Sequence, residues 1–148
     1  MFNRHSHLWL RATLPVLTML LMASGCLCSS EQTVLITYRR SGGIAGVNDE
    51  LVIYSNHQAI LVRRTGRAEF TLDADQVARL VQQFEEANFV SLDREYLPQN
   101  TCCDLYEYVV TYEGHTVRTM DTAIPEPLEP LLRTLNEIIQ SNQGAVQK

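Results

Sequence analysis

Two kinds of hydrophobic pattern alternate along the chain and predict a domain of mixed α and β structure. At 33–40 apolar residues occupy every second position, which is typical of a strand with one buried face. Five further strand-like runs follow, at 50–55, 59–65, 69–72, 105–113 and 115–120. Short polar or glycine-containing turns separate most of these runs, so we expect consecutive antiparallel hairpins.

Two other segments have apolar residues spaced three and four positions apart, which predicts helices with one buried side. The first is expected near 74–88, because Asp73 and Gln76 form the sequence pattern of a capping box. The second is expected near 127–140, with Pro127 in its first turn. The fold class is therefore predicted as α+β, with an antiparallel sheet of about five to six strands and two amphipathic helices on one face.

The N-terminus has the pattern of a secretory signal. Arg4 and Arg11 precede the apolar run 14–22, which is shorter than the roughly 20 residues that span a bilayer. The run ends in Ala23-Ser24-Gly25-Cys26, which resembles the lipobox of bacterial lipoproteins. That resemblance implies cleavage before Cys26, a diacylglycerol on its thiol, and a fatty acid such as palmitate on the new amino terminus. Ordinary secretion and an uncleaved membrane anchor remain open.

These features divide the chain into a signal peptide at 1–25, a lipidated cysteine with a short tether at 26–32, one domain at 33–141 and a polar tail at 142–148. The expected location is the cell envelope, with the domain outside the cytoplasm and a lipid anchor in the membrane. The chain carries a net charge of −5. Removal of the signal also removes two arginines, and such an acidic domain lacks the basic surface that nucleic-acid binding requires.

No residue pattern in the domain indicates catalysis, a cofactor or a metal site. His57 and His115 are isolated, and no serine lies in a Gly-x-Ser-x-Gly sequence. Cys102 and Cys103 are adjacent, whereas tetrahedral metal sites favour spaced cysteines. An envelope location permits disulfides, so three states stay open for the pair: a ring between them, a link from Cys28, or free thiols. We expect the protein not to be an enzyme.

The arginines of the domain are concentrated in the first half of the predicted sheet. Five of them fall on or next to the first and third strands, at Arg39, Arg40, Arg63, Arg64 and Arg67. They could form a basic patch that meets anionic lipid or an acidic partner. The alternative is that they pair with carboxylates across the strands on a solvated face.

A glycine-rich loop follows the first strand and supplies the candidate site. It lacks the Lys-Ser/Thr of a phosphate-binding loop, and a strand rather than a helix follows it. The sequence predicts either a tight turn with positive φ angles or an exposed loop that presents itself to a partner. The candidate partner-binding residues are Arg40, Ser41, Gly42, Gly43, Ile44, Ala45 and Gly46.

Several landmarks of the domain together resemble emfourin, a proteinaceous inhibitor of thermolysin-like metallopeptidases, and its bacterial relatives. They are Ile36-x-Tyr38-x-Arg40-Ser41-Gly42-Gly43-Ile44-Ala45-Gly46, Leu80-Val81-x-x-Phe84-x-x-Ala87-x-Phe89, Asp104-x-x-x-Tyr108-x-Val110-x-Tyr112 and Pro127-Leu128-x-Pro130-Leu131-Leu132-x-x-Leu135. The resemblance implies an inhibitor that acts through its glycine-rich loop and has no catalytic residues of its own. The expected function is thus a membrane-anchored, extracytoplasmic protein-binding module that inhibits a thermolysin-like metallopeptidase. The alternative is an envelope interaction or scaffold lipoprotein without a protease target.

Overall fold

The computed structural model describes residues 32–100 and 104–145. The chain divides into two units, Met1–Ser30 and Glu31–Lys148, and the second contains its own hydrophobic core. The predictions for the signal, Cys26, Cys28, Cys102 and Cys103 lie outside the described residues. None of the helices within the described ranges is both long enough and apolar enough to cross a membrane.

Within residues 32–100 and 104–145, the domain contains seven strands and two α-helices. In chain order these are β1 Val34–Gly42, β2 Val47–Tyr54, β3 Gln58–Arg63, β4 Gly66–Thr71, α1 Ala74–Glu86, β5 Glu95–Tyr96, β6 Tyr106–Tyr112, β7 His115–Met120 and α2 Glu129–Ser141. Three 3-10 turns accompany them, at Phe89–Ser91, Glu126–Leu128 and Gln143–Ala145.

All strands belong to one sheet with the order β4-β3-β2-β1-β6-β7-β5. Every neighbouring pair is antiparallel except β5 and β7, which are parallel. The predicted α+β class is confirmed, and the prediction of an antiparallel sheet of about five to six strands is roughly right but not exact, because the sheet has seven strands and one parallel pair. The missed strand, β5, has two residues, too few to show alternation, and the Arg118 N–H donates to the Arg94 carbonyl 2.9 Å away beside it.

Alternating residues of the central strands and one side of each helix form the core. Ile36 and Tyr38 of β1 are fully buried, as are Leu80 of α1 and Leu135 of α2. At the start of α1, Gln76 Oε1 accepts a hydrogen bond from the Asp73 N–H at 2.9 Å, as the capping-box pattern predicts. The second helix differs slightly from its predicted start, since a 3-10 turn over Glu126–Leu128 precedes the α-helical hydrogen bonding of α2.

Candidate functional site

The glycine-rich loop forms the tip of the β1–β2 hairpin. Strand β1 continues to Gly42, so Ser41 and Gly42 are strand residues paired with both β2 and β6. A turn over Gly43–Gly46 then reverses the chain into β2. Ile44, within this turn, is 90 % exposed, whereas Val34 at the start of β1 is 51 % exposed. The hairpin therefore holds an aliphatic side chain in solvent at the end of a paired strand.

The base of this tip fits closely against the first residues of β6. Gly42 and Gly43 have φ angles of +111° and +68°, which favour glycine. A Cβ atom on Gly42 would collide with the Leu105 carbonyl oxygen, and one on Gly43 would lie 2.8 Å from the Tyr106 ring. The Gly43 N–H donates to that same carbonyl at 3.3 Å. Glycine is thus required here both for the turn and for close packing.

Arg40 lies below the tip, but its side chain is directed into the domain. One guanidinium nitrogen, Nη2, donates to Asp49 Oδ2 at 2.6 Å, and Nη1 donates to Asn136 Oδ1 of α2 at 2.9 Å. The guanidinium also lies over the Tyr106 ring, 5.6 Å from its centroid. The side chain is 15 % exposed. Of the seven candidate residues, Arg40 therefore holds the hairpin in place, while Ile44, Ala45 and Gly46 are the exposed ones.

Asp49 is the acceptor that joins this arrangement together. Its side chain is 3 % exposed, and its second oxygen accepts a hydrogen bond from Arg63 Nε at 2.8 Å. Arg40 and Arg63 consequently share one carboxylate across three adjacent strands. Sequence reasoning missed Asp49 and Asn136 as supporting residues. The inward direction of Arg40 could have been predicted from its position in β1. It is two residues beyond Tyr38 and four beyond Ile36, so its side chain falls on the same buried face.

Two tyrosines continue the polar cluster towards β6 and β7. The Tyr38 hydroxyl donates to Asn136 Oδ1 at 2.9 Å, and the Tyr108 hydroxyl donates to Asp121 Oδ1 at 2.6 Å. Their rings are nearly parallel with centroids 6.5 Å apart. Burial raises the pKa of the Tyr38 hydroxyl, and burial together with the hydrogen bond to Asp121 raises the pKa of Tyr108. Both hydroxyls are therefore neutral donors that connect β1 and β6 with α2 and the end of β7.

The five arginines considered as one basic patch do not all share one surface. Arg40 and Arg63 meet at Asp49, whereas Arg67 pairs with Glu69 at 2.7 Å on an exposed part of β4. Arg39 follows Tyr38 and is exposed on the opposite face of β1, and Arg64 lies in the two-residue turn between β3 and β4. Within the described residues, cross-strand and same-strand pairing thus accounts for three of the five.

The two histidines of the domain lie apart from each other, one packed at the start of β7 and one in a turn. A ring nitrogen of His115 lies 2.9 Å from the Leu92 carbonyl oxygen, and the ring packs edge-on against Phe89. His57 occupies the β2–β3 turn with a φ of +68°. In residues 32–100 and 104–145, no three His, Cys, Asp or Glu side chains form a group that could hold a metal ion.

Residues 47–139 match the family described as Domain of unknown function (DUF6438), and because this is more than half of the chain, the protein belongs to that family. The matched region extends from the start of β2 to near the end of α2, and it contains Asp49, Arg63 and Asn136. Strand β1 and the turn with Ile44 precede it. No curated protein matches the chain.

Proposed function

We propose that this protein is a lipid-anchored, extracytoplasmic protein-binding module, and that it inhibits a thermolysin-like metallopeptidase by inserting the tip Gly43–Gly46 into the substrate cleft. The observation that carries the proposal is the 90 % exposure of Ile44 on a turn that is fixed at its base. Isolated exposed aliphatic residues are common on protein surfaces, but Ile44 differs because the backbone that presents it is held by packing, hydrogen bonds and a buried ion pair.

The energetics of such a tip favour binding to a pocket. Complete burial of an isoleucine side chain contributes about 1.5–3 kcal/mol. Ordering a flexible backbone costs about 1–2 kcal/mol per residue, so a loose loop of four residues would lose that gain. Gly43 is already fixed by its hydrogen bond to Leu105 and its contact with Tyr106. Ala45 and Gly46 beside Ile44 are small, so the partner's backbone can approach closely.

The position of the tip also suits an anchored protein. Gln32, the first described residue, has its side-chain amide hydrogen-bonded to Gln58 at the start of β3, which is the opposite end of the sheet from Ile44. Strand β1 has nine residues, which corresponds to roughly 30 Å at about 3.3 Å per residue. A lipid on Cys26 is joined covalently to the Gln32 end. This arrangement supports a tip that remains accessible to a partner in the envelope.

The inhibitor proposal is tested with the fragment Glu31–Lys148, which forms a compact unit with its own core. We expect it to inhibit thermolysin-like peptidases, and an Ile44→Asp variant to bind at least about tenfold more weakly, since a charge replaces the buried aliphatic group. Val34→Asp is the matched control, because Val34 is also an exposed aliphatic residue but lies at the opposite end of β1 from the tip. Equal inhibition by both variants would contradict the assignment of the tip.

The same assay separates the two candidate functions. If the folded fragment inhibits none of these enzymes at micromolar concentration, the inhibitor proposal fails. The envelope interaction or scaffold module without a protease target is then the remaining reading, and the hairpin tip is its binding surface.

The anchor is tested separately by replacement of the lipidated residue. We expect the native chain to enter the membrane fraction with acyl chains on Cys26. A diacylglycerol on this residue carries two acyl chains, and two chains are enough for stable anchoring. A Cys26→Ala protein is expected to lose both the cleavage and the lipid, as seen by mass spectrometry. A variant that is still processed and still membrane-bound would contradict lipidation at this residue.

A further inference from the structure

A small pocket lies beside the hairpin tip. The β1–β2 turn and the β3–β4 turn are at the same end of the sheet, and between them is a cavity of about 190 Å³. Residues 45–49 line one side of it, including the carboxylate of Asp49, and residues 63–65 line the other, including Arg63 and Arg64. Ala45 and Gly46 directly follow Ile44 in the chain. A group that occupies this pocket would therefore also contact the surface that surrounds Ile44.

The charges around the pocket do not balance. Arg40 and Arg63 share the single carboxylate of Asp49, and both oxygens of that carboxylate are already hydrogen-bonded. Arg63 uses only Nε for this contact, and its terminal nitrogens make no other hydrogen bond within the described ranges. Among residues 32–100 and 104–145, no carboxylate lies within ion-pairing distance of Arg64. Among the residues that line the pocket, the two arginines thus outnumber the single carboxylate of Asp49.

The guanidinium of Arg64 lies at the pocket. A terminal nitrogen, Nη1, would lie 3.7 Å from a Cβ atom placed on Gly46, so the guanidinium extends from one turn across to the other. A guanidinium offers several donors in a planar fork that matches a carboxylate or another planar oxyanion. The cavity is large enough for the end of one acidic side chain, but it lies below the range of about 300–1,000 Å³ that is typical of complete small-molecule sites.

We infer that this pocket binds the carboxylate of an acidic side chain of the protein partner, with Arg64 as its main ligand and Arg63 as the second. The inference rests on the proposed function, because it adds a charged contact to the apolar contact made by Ile44. It predicts that the partner places an Asp or Glu next to the hydrophobic pocket that receives Ile44. Positive charge in this position also increases the rate of encounter with such a surface, and added salt reduces that effect.

The site is tested first without any partner, by NMR titration of the ¹⁵N-labelled fragment Glu31–Lys148. The probe is N-acetyl-aspartate methylamide, and its control is the isosteric N-acetyl-asparagine methylamide, which lacks the charge. We expect saturable shifts of the Gly46, Val47 and Asn48 amides with the aspartate compound and none with the asparagine compound. In 0.5 M NaCl the affinity should fall, because a contact of this kind is screened.

Arg64→Gln removes the charge from a solvent-exposed turn and is expected to weaken binding of the aspartate compound about fivefold. Arg133→Gln makes the same chemical change on an exposed position of α2 that does not line the pocket, so it should leave the affinity unchanged. The amide spectrum of each variant shows whether it is folded. Absence of shifts at the three amides, equal shifts with the asparagine compound, or unchanged binding in Arg64→Gln would overturn the inference.

Inhibition measurements separate failure of this inference from failure of the proposed function. If Ile44→Asp loses inhibition and Arg64→Gln retains all of it, the tip binds the peptidase and the carboxylate site is refuted. If the aspartate compound binds as described but no thermolysin-like enzyme is inhibited, the pocket stands and the peptidase partner is refuted. If Arg64→Gln raises the inhibition constant about fivefold and Arg133→Gln leaves it at the wild-type value, the result supports both the carboxylate site and the proposed function.

Discussion

Asp49→Asn removes the charge that holds the base of the hairpin and leaves the shape of the side chain nearly unchanged. Asp49 is 3 % exposed and accepts a short hydrogen bond from each of Arg40 and Arg63, whose side chains are 15 % and 21 % exposed. After the substitution two guanidinium groups remain at the site with no carboxylate. The asparagine amide nitrogen must also face one of these two cations, since only one end of the amide is an acceptor.

The expected loss follows from the burial of the three groups. Removal of one partner from a fully buried ion pair costs about 3–5 kcal/mol, but the partial exposure of both arginines allows water to solvate them. We therefore expect a decrease of about 2–3 kcal/mol in the free energy of unfolding. Small domains have a total stability of about 5–15 kcal/mol, so the effect is large. With a urea dependence of about 1–3 kcal/mol/M, the midpoint should fall by roughly 0.7–3 M.

The assay is urea unfolding of the fragment Glu31–Lys148, followed by circular dichroism. Glu69→Gln is the control, because Glu69 pairs with Arg67 in an exposed position where the two side chains are 69 % and 56 % exposed. That pair should contribute less than about 1 kcal/mol. Adding Arg63→Gln to Asp49→Asn should recover part of the loss, because it removes one unpaired cation. If Asp49→Asn unfolds at the same urea concentration as Glu69→Gln, the proposed support of the hairpin is refuted.

Two further predictions concern the turn and the tyrosines. Gly43→Ala should destabilise the domain more than Gly114→Ala in urea unfolding. Both glycines have positive φ, at +68° and +76°, but only a Cβ atom on Gly43 would meet a neighbour, the Tyr106 ring. The backbone strain should cost about 1 kcal/mol in each variant, with a further loss in Gly43→Ala, and equal losses would show that the packing against Tyr106 is unimportant. Because burial raises the pKa of Tyr38 and Tyr108 in the folded state, the unfolded state loses these protons first as the pH rises, so the free energy of unfolding should fall above pH of about 10. The tyrosinate absorbance of these residues should appear only with unfolding, and Tyr108→Phe should make the decline shallower; a decline that is equally steep in Tyr108→Phe would contradict this explanation.

Much of the fold could be predicted from hydrophobic spacing, because most elements are long enough to show their period. The alternation in β1 identified its buried side, with Ile36 and Tyr38 pointing to the core. The apolar spacing of α1 and α2 located both helices within a few residues. Strand β5 could not be found in this way, because two residues held by a parallel partner contain no periodic signal.

The candidate site was only partly predictable, for a reason that concerns strand register. The turn was located approximately from its glycines, but it is formed by Gly43–Gly46 alone, because Ser41 and Gly42 belong to β1. Arg40 was grouped with the loop because it adjoins it in sequence, although its position places it on the buried face. Its pairing with Asp49 depends on a turn of four residues, and its contact with Asn136 depends on the packing of α2. Neither dependence can be seen in a single sequence.

The central claim, that the hairpin tip contacts a protein partner, is tested most directly by photocrosslinking in the cells that make the protein. A photoreactive p-benzoylphenylalanine is placed at position 44 in the full chain, and at position 34 in the matched control. We predict one crosslinked protein adduct from position 44 and none from position 34, with the crosslinked peptide lining the substrate cleft of a metallopeptidase. An adduct with a different envelope protein would retain the binding role of the tip and refute the peptidase. Absence of an adduct at position 44, or the same adducts at both positions, would contradict the account.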